Sequence, residues 1–302
     1  MNTPTRPPYT EFIPVIGVAG LAIALQNNTL FGSVGIYGSA VLLGIATMLL
    51  LLGVVKIRRS LIPIQSTPSI EAFTATLPVS VSLLAIAYSG YVATSAVAYI
   101  VWVVASVLQL GVAGYSVHRW LTYVSSAKKS PTPEYSPSML FPSIGLLLIP
   151  IIGVQYLPLA LTWSIVLIGL GMAFIASVIL ISQPRAQRPL LPQNGIWLSA
   201  SMVTGISLYS LSGSVLLLEA MTVGSLFILV LLLFHLKDLR TPLHFMWWGL
   251  VFPLASSSVA LGMTYTTTHI VAYGMVGAGL TVVGVLLMML LSLRTRLNLA
   301  IA

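Results

Sequence analysis

Every lysine and arginine of this 302-residue chain falls into one of six short clusters, and the clusters are separated by pairs of long apolar runs. Crossing the hydrocarbon core as a helix takes about 20 mostly apolar residues. Ten runs meet that demand, at roughly 11–26, 31–55, 70–88, 91–117, 139–155, 158–182, 192–211, 213–236, 242–263 and 269–293. Arg6 precedes the first. Lys56, Arg58 and Arg59 follow the second, and Arg119, Lys128 and Lys129 the fourth. Arg185 and Arg188 follow the sixth, Lys237 and Arg240 the eighth, and Arg294 and Arg296 the tenth. These are all thirteen basic residues, and the other connections hold none. Because Lys and Arg collect on the cytoplasmic side, the pattern predicts ten transmembrane helices folded as five hairpins. Both termini are then cytoplasmic and the outer turns are short. The expectation is an all-α polytopic membrane protein, with one transmembrane domain over 1–302, in the plasma (cell inner) membrane.

Composition removes the main rivals. Only 6% of the residues are charged and 58% are hydrophobic, whereas a soluble domain is about 25% charged. A soluble enzyme and a disordered chain are excluded on that ground. The net charge of +8 is spread over the six clusters rather than gathered on one water-facing surface, which argues against a nucleic-acid partner. Cysteine is absent, so disulfides, thiolate metal sites and cysteine nucleophiles are excluded together. The four histidines, His118, His235, His244 and His269, all lie near run ends, leaving no mid-membrane pair for a haem. Asp238 is the only aspartate. Zinc-protease, phosphate-loop and serine-hydrolase motifs are missing. The chain is therefore expected to be no enzyme, with no catalytic residues, metal or cofactor. A cleaved signal peptide is a rival reading of the first run, which contains Ala22-Ile23-Ala24; a single Arg6 and the nearby Glu11 fit it poorly.

Odd and even runs differ. Even runs are long and almost wholly aliphatic. Odd runs are shorter and carry a helix-breaking residue: Pro14, Pro78, Pro150 and Pro253 in the first, third, fifth and ninth, and Gly205 in the seventh. A proline inside a helix removes a hydrogen bond and kinks it, and the freed carbonyl needs a partner or a water-filled cavity. Repetition in one parity predicts an inner ring of kinked odd helices around a pore and an outer ring of even helices facing lipid. Thr74, Ser80, Ser201, Thr204 and Ser256 are the candidate pore hydroxyls. Glycines at 32, 35, 38, 274, 277 and 284 suggest close helix packing, and Trp247 and Trp248 suggest interface anchors.

The ninth run reads His244-Phe245-Met246-Trp247-Trp248-Gly249-Leu250-Val251-Phe252-Pro253-Leu254-Ala255. Its W-W-x-x-x-F-P-L pattern, at the start of a ninth span in five hairpins, resembles the tellurite-resistance/dicarboxylate transporter family. That family includes the bacterial TehA-like proteins, yeast malic-acid and sulfite transporters, and the slow-type anion channels of plant guard cells. Phe141-Pro142-Ser143 to Gly153, and Arg188-Pro189 to Gly205, are similar to the family's fifth and seventh spans. The resemblance implies a homotrimer whose protomers each have a pore, plugged at mid-membrane by a ninth-span phenylalanine; here the matching residue is Phe252.

The function this implies is transport of small inorganic or organic anions across a lipid bilayer, through a pore gated by Phe252. An aromatic ring on a narrow axis closes a pore by sterics and dewetting. Glu219 is the one acid well inside a run and gives an alternative: a proton-coupled carrier or exporter of a C4-dicarboxylate, sulfite or a tellurium oxyanion, with Glu219 titrating. A second alternative is a non-conducting membrane scaffold or assembly subunit.

Overall fold

The computed structural model describes residues 8–59, 73–91, 96–126, 136–182, 191–234 and 247–301. Among these residues every regular element is helical. The α-helices are α1 (Ile13–Asn27), α2 (Gly32–Arg59), α3 (Thr76–Ser89), α4 (Ala96–Ser126), α5 (Phe141–Gly153), α6 (Leu159–Ile181), α7 (Leu191–Ser212), α8 (Val215–Phe234), α9 (Trp248–Thr268) and α10 (Val271–Ile301). One helix falls on each apolar run. Arg6, Lys128, Lys129, Arg185, Arg188, Lys237, Arg240, His235, Asp238 and His244 lie outside the described residues.

Helix lengths divide by environment. α2, α4 and α10 have 28, 31 and 31 residues and overrun the ends expected at 55, 117 and 293. Their extra turns carry the basic residues of those clusters up to Arg59, Arg119 and Arg296. In α2 the basic residues lie in the last turn, where cations complement the partial negative charge of a helix C-terminus; α4 and α10 run on past theirs to Ser126 and Ile301. In contrast α3 and α5 have only 14 and 13 residues, each about 20 Å long against a core of about 30 Å. Both are buried along most of their length. A helix shielded from lipid has no need to span the core by itself.

Several helices are entered through 3-10 turns, among them Thr29–Phe31 ahead of the even helix α2. Short 3-10 segments, Pro8–Phe12, Phe73–Ala75 and Pro137–Leu140, run directly into α1, α3 and α5. This corrects the placing of two kinks. Pro14 and Pro78 occupy the first turn of α1 and α3, where a missing N–H breaks no regular bond. Pro150 and Pro253 do lie inside α5 and α9. Near Pro150 the neighbours supply donors: Ser207 Oγ of α7 donates to the Leu147 carbonyl, and Trp102 Nε1 of α4 donates to Ile149 O at 3.2 Å.

Packing follows parity. α1 contacts α3 and α9, α5 contacts α3 and α7, and α7 contacts α9, so the odd helices touch one another in a closed circuit. Each odd helix also packs against the even helix that follows it. The odd helices supply most of the core, including Val15, Leu21, Ile144, Leu147, Leu198 and Val251. Even helices turn large apolar side chains outward, such as Tyr37, Val107, Phe174 and Phe227. An exposed apolar surface of that extent is one a bilayer covers.

Several glycines work as close contacts. A Cβ on Gly274 would lie 3.0 Å from the Tyr265 ring, and one on Gly284 would lie 2.8 Å from Leu21. Gly277 faces Leu261 and the Ser258 carbonyl, and Gly35 the Leu25 carbonyl. Gly32 is different: it has φ 50 and open space around it, and it turns the chain into α2. Between α4 and α5, Gly145 makes room for the fully buried Gln109, whose Nε2 donates to Pro142 O at 2.9 Å. A methyl group at Gly145 would overlap that amide. Gly145→Ala is therefore expected to lower stability by about 1–3 kcal/mol, the cost of orphaning a buried polar group. The thermal unfolding midpoint in detergent reads this, and a midpoint equal to wild type would contradict the contact.

Candidate functional site

A cavity of about 130 Å³ lies where the five odd helices meet. Gly20, Ile23 and Asn27 line it from α1, Leu83 and Ile86 from α3, Leu148 and Ile151 from α5, and Val203 and Ile206 from α7. From α9 come Phe252, Ser256, Val259 and Met263, spaced three or four residues apart on one helix face. On α3, α5 and α7 these residues all fall in the C-terminal half of the helix, and on α1 from its midpoint onward. These four helices therefore approach the cavity in the same sense, whereas α9 lines it from both halves.

Phe252 is the lining residue nearest the N-terminal end of α9 and is 5% exposed. Its ring rests on α1. A Cβ added at Gly20 would lie 3.2 Å from Phe252 Cδ2 and 3.0 Å from Ala255 Cβ. Glycine at position 20 is what lets the ring sit against the α1 backbone. The next residue, Pro253, interrupts α9, and its carbonyl accepts from Ser257 Oγ at 2.7 Å and Ser256 Oγ at 3.1 Å. The aromatic ring and the interior proline are thus adjacent.

Most of the expected polar lining is elsewhere. Ser80 Oγ donates to Thr76 O at 2.7 Å and to Phe12 O at 3.3 Å. Thr204 Oγ1 donates to Ala200 O at 2.7 Å, and Ser201 Oγ accepts from Ser225 of α8 at 2.6 Å. Thr74 is half-buried ahead of α3 and outside the lining. Of the five hydroxyls, Ser256 alone reaches the cavity. In a dry helix bundle a hydroxyl finds its own helix carbonyl or a neighbouring helix before it finds a cavity. Gly205 likewise faces α8: a Cβ there would lie 2.8 Å from Met221 Cβ. None of Pro14, Pro78, Pro150, Gly205 or Pro253 lines the cavity, and neither does Glu219, half-buried in α8. Trp247 and Trp248 are 3% and 7% exposed, so they belong to the core at the start of α9 rather than to an interface. The apolar lining on α3, α5 and α7 went unread because helices apolar on every side do not mark one face.

The profile of the voltage-dependent anion channel family (SLAC1) matches residues 8–296, nearly the whole chain. The chain belongs to that family. No curated protein matches it in sequence. Membership implies anion transport across a membrane; the family's members are transporters or channels rather than enzymes. Five helices that are long and apolar enough to cross a membrane, among the described residues, agree with a multi-pass protein.

The absence of cysteine makes the cavity directly testable. Val203→Cys places a thiol on the lining of α7, whereas Ser201→Cys places one against α8. A small water-soluble thiol reagent should modify Val203→Cys in the folded protein and leave Ser201→Cys largely unmodified. Faster modification at position 201 would contradict the orientation of α7.

Proposed function

We propose that the chain is an anion channel whose path runs between the five odd-numbered helices and is closed by the Phe252 ring. One observation carries this reading: a cavity lined by all five odd helices has the Phe252 ring in its lining. On this reading the closed circuit of odd helices is an inner ring around a pore, and the even helices form the ring that meets lipid. The basic residues toward the C-terminal ends of α2, α4 and α10 then lie on the cytoplasmic side with both termini, and their field raises the local anion concentration. The family resemblance adds a homotrimer in the cell membrane, with one pore per protomer.

The lining favours passage over capture. It holds no ionisable side chain, and most of it is aliphatic. An anion in such a space loses hydration without gaining a countercharge, so binding stays weak enough for release. Anions that shed water easily should pass best, which places nitrate ahead of chloride. Glu219 stands outside the lining, so the proton-coupled carrier reading has no titrating group at the cavity. The scaffold reading leaves a cavity that all five odd helices share without a role.

Anion flux into liposomes holding wild-type protein or Phe252→Ala tests the proposal. Wild type should be nearly silent and Phe252→Ala should raise flux roughly tenfold or more, since about 1.4 kcal/mol of barrier is a factor of ten. Nitrate should exceed chloride. A silent Phe252→Ala beside wild-type uptake of sulfite or a dicarboxylate would replace the channel with a carrier.

A further inference from the structure

The last three residues before the α1–α2 turn are carboxamides, Gln26, Asn27 and Asn28, and each is committed differently. Gln26 Nε2 donates to the Ala87 carbonyl near the end of α3 at 3.0 Å. Asn28, 1% exposed, donates from Nδ2 to Gly274 O of α10 at 3.0 Å and accepts from Leu30 N at 3.1 Å. Between these two fastened neighbours, Asn27 lines the cavity. Gly262 of α9 lets that helix close on the Asn27 backbone: a Cβ there would lie 3.1 Å from Asn27 O. The Asn27 side chain is thus presented from a backbone held on three sides.

Donor accounting then singles it out. Asn27 and Ser256 are the two polar side chains of the lining. The Ser256 hydroxyl hydrogen goes to Pro253 O. Asn27 Nδ2 carries two hydrogens, and one goes to Ile23 O at 2.9 Å. The second is the one side-chain donor among the described lining residues with no protein partner. Its location matters electrostatically. Asn27, Ile86 and Ile151 bring the last turns of α1, α3 and α5 to the cavity, and the partial negative charge there disfavours an anion. A fixed N–H there offsets that field.

We infer that Asn27 forms an anion site at the α1 end of the cavity, taking a small inorganic anion such as chloride or nitrate on its free Nδ2 hydrogen. The Ile23 carbonyl holds the amide plane, and Gln26 and Asn28 hold the backbone that carries it. The inference rests on the channel reading for its role in permeation, but binding at Asn27 stands without a gate at Phe252.

Chloride-35 line broadening by the purified full-length protein in detergent tests the site. Wild type should broaden the signal, nitrate should reverse the broadening, and both Asn27→Leu and the near-isosteric Asn27→Asp should abolish it. Asn27→Asp keeps the side-chain shape and guards against a fault in Asn27→Leu folding, with gel-filtration elution compared for each. In bilayers, Asn27→Leu on the Phe252→Ala background should lower chloride conductance roughly tenfold, the factor that one hydrogen bond to an ion carries. Broadening that is absent in wild type, or equal in wild type and both variants, overturns the site. So does a conducting Phe252→Ala protein whose chloride conductance Asn27→Leu leaves unchanged. A silent Phe252→Ala protein with Asn27-dependent broadening would remove the gate and keep the site.

Discussion

The contact between α1 and α9 holds the arrangement together, because it joins the first odd helix to the last and closes their circuit. It is a backbone-scale contact. Gly17 meets Val251, Gly20 meets Phe252 and Ala255, and Gly262 meets the Asn27 carbonyl. In lipid there is no hydrophobic drive to bring two apolar helices together, so small residues that permit close approach decide where they meet. Larger side chains at these positions would hold the helices apart, and the Phe252 ring would lose the α1 surface it rests on. The cavity and its aromatic lining are consequences of that closure.

A second constraint is that backbone groups freed inside a bilayer need partners. Apart from the exposed 3-10 turn Thr29–Phe31 ahead of α2, the protein meets it by gathering irregular backbone where helices shield one another. The 3-10 segments that lead into α1, α3 and α5, and the interior prolines of α5 and α9, all belong to odd helices. Hydroxyls then serve the backbone: Ser207 goes to Leu147 O, and Ser256 and Ser257 go to Pro253 O. That leaves a cavity poor in hydroxyl donors, which suits weak anion binding better than a polar trap would. The lone unspent amide hydrogen of Asn27 gains its importance from this scarcity.

The large-scale pattern was legible because it is written in charge. The basic clusters can be explained only if the runs pair off, and a helix falls on every run. Parity was legible too, since lipid demands length and uniform apolarity from α2, α4, α6 and α10, while α3 and α5 are released from both. What could not be read was direction around a buried helix. Ser201 and Gly205 sit in the same odd run as Val203 and Ile206, yet the first two face α8 and the others face the cavity. No hydrophobic periodicity separates them, because both faces are dry. Pro14 and Pro78 were misplaced for a related reason: a 3-10 segment leading into an α-helix leaves no compositional mark. Asn27 falls just past the first apolar run, where a carboxamide beside a turn carries no mark of a cavity-lining role.

The central claim is that the Phe252 side chain is the barrier in the cavity. Single-channel recording through Phe252→Leu, Phe252→Val, Phe252→Ala and Phe252→Gly in one bilayer system tests it most directly. If the ring is the barrier, anion conductance rises in that order as the side chain shrinks, while preference for anions over cations persists. Conductance that is absent in every variant, or indifferent to side-chain size, would contradict it and return Phe252 to ordinary packing against Gly20.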